Sequence, residues 1–199
     1  TSVKHNSPLL SILTPQTLNA APNSLSLAQK LHEFEMPLAF GGAVFNQIPK
    51  AKEAIHGHFL GSSLDQVPQV VERLIQTTPS PEKVKKPTKA YRAAHRHFVE
   101  KRSAIEARLH GASGLSALPT AFLTNINSEF GNNLEAALQL GDLAMVDANL
   151  EWVKGLLLNN HQRISELSLN HYLRLYQTAV AAEMDNRAEP ILDWFAQLD

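Results

Sequence analysis

Three short apolar runs, Leu9-Leu10-Ser11-Ile12-Leu13, Leu38-Ala39-Phe40 and His58-Phe59-Leu60, are separated by stretches with helical spacing, and this alternation constrains the fold most. Parallel strands need a crossover between them, so strand, helix, strand in succession predicts a doubly wound parallel sheet. Pro8 and Thr14-Pro15 bound the first run. Asn23 or Ser24 is placed to cap a helix with Leu27, Leu31 and Phe34 inward, which Met36-Pro37 stops. The second run ends at Gly41-Gly42 and is followed by a short helical stretch over residues 50–55. Ser63 or Asp65 is placed to cap a helix carrying Val67, Val70, Val71, Leu74 and Ile75. Three strands make about half of an ordinary doubly wound sheet. The expectation is therefore a partial, flavodoxin-like sheet, with further strands upstream or with a partner covering its open edge.

Residues 77–88 hold three prolines and no periodic apolar face, which predicts a linker. Beyond it every segment reads as helix. Tyr91, Ala94, Phe98, Ile105 and Leu109 form one apolar stripe, opposite Arg92, Arg96, Lys101, Arg102 and Arg108. Leu134, Ala137, Leu138 and Leu140 form another, ended by Gly141; Asp142 then caps a helix with Val146, Leu150, Val153 and Leu157 inward. A further helix runs from Ser165 or Glu166 to Met184 through Leu169, Tyr172, Leu173, Tyr176 and Val180. The last runs from Pro190 to Leu198 and buries Ile191, Trp194 and Phe195. The predicted organisation is an α/β domain over residues 1–76, a linker over 77–88 and an all-α helical bundle over 89–199.

The chain has no cysteine, which excludes disulfide frameworks, thiolate metal sites and cysteine nucleophiles. No apolar run reaches the roughly 20 residues of a membrane span. Thr1-Ser2-Val3-Lys4-His5 lacks the order of a signal peptide, so a soluble, cytoplasmic protein is expected. The net charge of −1 hides a segregation: residues 82–110 carry nine basic and three acidic side chains, and residues 111–199 carry four and eleven. The basic helix expected over 83–108 could neutralise nucleic-acid phosphates, but no helix-turn-helix signature precedes it. An acidic protein surface, including residues 111–199 of a second copy, is the better-supported partner.

In an open parallel sheet, ligands bind beyond the carboxyl ends of the strands. Here those ends carry Ser11–Thr14, Gly41-Gly42 and Gly61, all rich in small or hydroxylic residues. A serine there can donate to a ligand oxygen or ring nitrogen, and bare glycine backbone admits a flat or bulky group. Ordinary strand-to-helix turns use the same residue types.

Ser11-Ile12-Leu13, the Gly41-Gly42 pair and Gly61 resemble the S-x-L and G-G elements of cobalamin-binding domains. Pro37-Leu38-Ala39-Phe40-Gly41-Gly42-Ala43-Val44-Phe45-Asn46, with Ile48-Pro49 and His56-Gly57-His58-Phe59-Leu60-Gly61 after it, is most similar to the versions in light- and vitamin-B12-responsive transcription regulators and antirepressors. The resemblance covers roughly residues 7–76. It implies that Ser11, Leu13, Gly41 and Gly42 line a slot for the nucleotide tail of cobalamin. The family's D-x-H-x-x-G loop, whose histidine ligates cobalt, has no counterpart in this sequence, and His5 lacks the flanking Asp and Gly. The segment from Leu134 to Asp142, with Trp152 and the Tyr172–Tyr176 helix, is similar to helical modules attached to such domains. The W-x-x-x-E-H cap motif of those modules is absent, and the leucines around Trp152 favour core packing over a ligand-facing role.

His95 and His97, two residues apart on a helix, fall on different faces, and no H-x-x-x-H with an acidic third ligand occurs. His56 and His58 flank a strand start and read as surface or loop histidines. G-x-S-x-G, a Walker loop and G-x-G-x-x-G are all absent, so neither catalytic residues nor a metal site is assigned. Two functions fit: a cobalamin-binding regulatory module acting by conformational change, or a non-catalytic scaffold whose half-domain works through protein–protein contacts.

Overall fold

The computed structural model describes residues 9–34, 36–77, 86–112, 120–150 and 166–198. The chain divides between Lys86 and Pro87 into two compact units, Thr1–Lys86 and Pro87–Asp199. The first is α/β and the second is helical among the described residues.

The α/β unit runs β1 (Ser11–Leu13), α1 (Ala21–Glu33), β2 (Leu38–Phe40), α2 (Ala43–Gln47), β3 (His58–Phe59) and α3 (Val67–Thr77), with short 3-10 turns before α1 and α3 and at Pro49–Ala54. The sheet is parallel in the order β1-β2-β3, with Ser11 opposite Leu38 and Ala39 opposite His58. Successive side chains of a strand point to opposite faces. Ala39 accordingly packs with Leu60, Leu74, Leu10 and the α3 valines, while Phe40 meets Phe45 and Phe59 at ring-centroid separations of 4.9 and 5.7 Å. All three β2 residues are buried, as expected of a central strand.

Helix α1 departs from expectation. It starts at Ala21, ahead of Asn23 and Ser24, and has no side-chain cap. Pro22 lies in its first turn, where its missing N–H leaves no donor to satisfy. Its buried face is Ala21, Ser24, Leu25, Ala28 and Leu31, whereas Leu27 is 42% and Phe34 55% exposed. The small residues Ala21, Ser24 and Ala28 let the helix approach the sheet, and they rotate the larger Leu27 outward.

In the helical unit α4 spans Lys89–His110, α5 Thr120–Leu140, α6 residues 144–150, α7 Glu166–Glu183 and α8 Glu189–Phe195. Helix α4 begins at Lys89, not at residue 83, because Pro87 disfavours helical backbone at Lys86. Thr88 caps it by accepting from the Tyr91 amide at 3.3 Å. Helix α5 begins well before Leu134: Leu123, Asn127, Phe130 and Leu134 are buried at spacings of four, three and four, and packing overrides the weak helix propensity of its asparagines. Gly141 ends it at φ 90°, and Asp142 accepts from the Ala144 amide to start α6. Leu169, Tyr172, Leu173, Tyr176 and Val180 of α7 are buried, as are Ile191, Trp194 and Phe195 of α8. Residues 78–85 of the expected linker, and Trp152, Val153 and Leu157, lie outside the described residues.

Candidate functional site at the strand ends

Leu13, Gly41 and Gly42 meet at the carboxyl end of the sheet. The Gly41 amide donates to the Leu13 carbonyl at 3.0 Å, which extends the β1–β2 ladder one residue beyond the strands. Gly42 has φ 117° and ψ 164°, a backbone region open in practice to glycine alone. A Cβ there would stand 2.2 Å from the Pro15 carbonyl oxygen. Gly42 therefore lets the loop after β2 press against the loop after β1. Gly41 is different: a Cβ on it would meet only the Leu60 side chain, at an ordinary 3.6 Å.

Ser11 lies at the other end of β1. Its amide donates to the Pro37 carbonyl at 2.9 Å, and its hydroxyl faces the Met36 sulfur at 3.6 Å. Ser11 and Leu13 share one face of the strand and Ile12 takes the other. Of the four residues implied by the resemblance, the structure thus brings Leu13, Gly41 and Gly42 together at the carboxyl end of the sheet and leaves Ser11 at the amino end of β1, two residues back on the Leu13 face.

Gln16 is the residue that sequence reasoning missed. Its amide nitrogen donates to the Thr14 carbonyl at 2.8 Å, and its amide oxygen accepts from Ala43 N at 3.3 Å. One side chain so ties the β1 loop to the start of α2. The available signal was a long polar amide immediately after Thr14-Pro15. Asn46 similarly donates to the Ser62 carbonyl at 3.2 Å, joining α2 to the loop beyond β3.

The histidines separate. His56 faces His32 across 3.0 Å between ring nitrogens. In the helical unit His97 is buried with its Nδ1 3.1 Å from Asp185, whereas the His95 Nε2 stands 3.9 Å from Glu135. Among the described residues no group of three His, Asp or Glu side chains is arranged to hold a metal ion.

The basic stripe of α4 is divided. Arg102 is turned inward: its Nε donates to Glu106 at 2.8 Å, its Nη1 to Glu135 at 3.1 Å and its Nη2 to the Ser128 carbonyl at 2.9 Å. Arg108 pairs with Glu183. Arg92 and Arg96 remain exposed near the helix start.

The helical unit also has a cleft of about 360 Å³ bordered by Tyr91, Asp142, Glu189, Asp193 and Trp194. The Trp194 indole N–H is engaged elsewhere, donating to Asp147 at 2.7 Å. No described helix is long and apolar enough to cross a membrane.

Comparison with protein-family models found no match, and comparison with curated proteins found none.

Proposed function

We propose that this chain is a cobalamin-binding regulatory module, of the kind found in light- or vitamin-B12-responsive transcription regulators and antirepressors, acting through a change of conformation. The observation that carries the reading is the meeting of Leu13 with Gly41 at the strand ends, with Ser11 behind them on the Leu13 face. Two features of these residues suit a ligand. The Ser11 hydroxyl has only a thioether as partner among the described residues, a weak acceptor that a ring nitrogen or oxygen of the nucleotide tail would replace with gain. Gly41 lacks a side chain where the fold leaves room for one. Ser11, Leu13, Gly41 and Gly42 would hold the tail. Bound cofactor would supply the spectroscopic and light-responsive chemistry, and the protein would convert its presence into a shift between conformations.

The test is an absorption spectrum after dark incubation with hydroxocobalamin and adenosylcobalamin, desalting and illumination. Retained corrin absorbance, lost in a folded Ser11→Trp variant, is the expected result. A colourless wild-type protein would refute the reading.

A second reading has its own support. Among the described residues β1 is an edge strand, with Ile12 in it 46% exposed and Leu9 just before it 72% exposed. Unpaired edges with apolar residues recruit partners. A scaffold role through that edge predicts self-association or partner binding that Ile12→Lys abolishes, measured by light scattering.

A further inference from the structure

We propose that the helical unit carries a surface for a second copy of this chain, in which Lys89, Arg92 and Arg96 of α4 in one copy meet Glu189 and Asp193 of α8, with the cleft beside them, in another. The surface is independent of the cofactor reading and of the β1 edge, since every residue in it belongs to the unit Pro87–Asp199.

The fold narrows the basic stripe to its first two turns. Arg102 and Arg108 are engaged within the unit by Glu106, Glu135 and Glu183. Lys89, Arg92 and Arg96 recur at spacings of three and four, so they share one exposed face of α4, turned away from the buried Ala94 and Phe98. Arg92 donates to the Pro87 carbonyl, which leaves its charge uncompensated. On α8, Glu189 and Asp193 are exposed too. Among the described residues Lys89, Arg96, Glu189 and Asp193 enter no ion pair.

The two charged faces match in spacing as well as in sign. Arg92 and Arg96 are four residues apart, as are Glu189 and Asp193, so each helix sets two charges about 6 Å apart along its axis. A side-by-side approach of α4 and α8 from different copies therefore forms both pairs at once.

The cleft supplies an apolar half to the same surface. Leu143, Pro190 and Trp194 line it beside Glu189 and Asp193, and no Lys or Arg does. A long basic side chain has an apolar stem and a charged head. An arginine entering from another copy would lay its methylenes on this wall and place its guanidinium at the carboxylates. The wall is held in place beforehand: the Trp194 indole donates to Asp147 at 2.7 Å, and the Leu143 amide donates to the Tyr91 hydroxyl at 3.4 Å. At about 360 Å³ the cleft has room for such a side chain.

Sedimentation velocity over a concentration series should be run on the full chain and on two double variants, Arg92→Glu with Arg96→Glu and Glu189→Lys with Asp193→Lys, with circular dichroism confirming that each folds. Wild type should self-associate at low salt and do so at least about tenfold more weakly in about 0.5 M NaCl. Each double variant should lose the association, and an equimolar mixture of the two should regain it, because the mixture again opposes unlike charges. Ile12→Lys should leave it intact. The proposal is overturned by a wild-type protein that is monomeric at low salt, by association that both double variants retain, by loss that mixing does not reverse, or by loss in Ile12→Lys, which would assign the contact to the β1 edge. Should a charge-reversed variant fail to fold, the neutral exchanges Arg96→Gln and Asp193→Asn at exposed positions decide: each should weaken association, and unchanged association in both overturns the proposal.

Discussion

The guanidinium of Arg102 lies so close to Gly131 that a Cβ on the glycine would come within 2.8 Å of its Nε. Gly131 is in the interior of α5, where alanine is ordinarily better by roughly 1 kcal/mol. Here the extra methyl would push Arg102 off Glu106, Glu135 and the Ser128 carbonyl. Gly131→Ala should therefore destabilise the wild-type protein yet stabilise an Arg102→Met background. Urea denaturation of the four proteins should give a coupling of about 1–2 kcal/mol. Additive effects would mean that Arg102 simply swings aside.

The two adjacent glycines at the end of β2 should respond oppositely to substitution. Gly42→Ala combines a backbone conformation costing about 1–3 kcal/mol in any other residue with a clash on Pro15, so a loss of at least about 2 kcal/mol is expected. Gly41→Ala should stay within about 1 kcal/mol of wild type, since its methyl meets only Leu60 at normal distance. Thermal melts decide the first effect, and corrin retention by Gly41→Ala then reports on the ligand without a folding complication.

Much of this was legible in the residues themselves. The three strands were marked by short apolar runs ending in glycine or proline, and the α7 and α8 cores by regular apolar spacing, because burial on one face is a periodic signal. Long-range pairing is not periodic. Nothing near His32 announces His56, and nothing near Arg102 announces Gly131 or Glu135. The same limit explains Leu27 in α1 and Phe34 just beyond its end: they have helical spacing and large side chains, yet small residues decided which face went inward. At the site, Leu13, Gly41 and Gly42 were visible as strand-end residues, whereas Gln16 acts through two backbone groups that no local pattern brings together.

Stability should fall on mild acidification. Desolvation first, and then neighbouring imidazoles, lower the His56 pKa; desolvation chiefly lowers that of His95 despite the opposing Glu135. Below about pH 6.5 the unfolded chain takes up protons that the folded chain accepts only at lower pH. The melting temperature should therefore rise from pH 5 to pH 7, and His56→Asn with His95→Gln should flatten that rise. An unchanged slope would remove these two residues from the account.

At alkaline pH the aromatic cluster of the helical unit is the sensitive part. Burial raises the Tyr172 and Tyr176 pKa values well above the ordinary phenol, and Tyr172 donates to Asn127 at 2.9 Å inside the unit. Above about pH 10 the unfolded chain releases protons that the folded chain keeps, so stability declines as pH rises. Phenolate absorbance from these two residues should appear together with unfolding, monitored by ultraviolet titration against circular dichroism. Tyr172→Phe, which leaves the Asn127 oxygen without a donor, should cost about 1–3 kcal/mol by urea denaturation.

The order β1-β2-β3 has a consequence for how the α/β unit comes into being. Each strand is hydrogen-bonded to the next one in the chain, so among the described residues no pairing awaits a distant segment. Loop closure is short at every step, and the sheet can assemble in the order of synthesis, β1 against β2 and then β3 onto the finished pair. A nascent chain on the ribosome would thus acquire its first ladder before the helical unit has been translated.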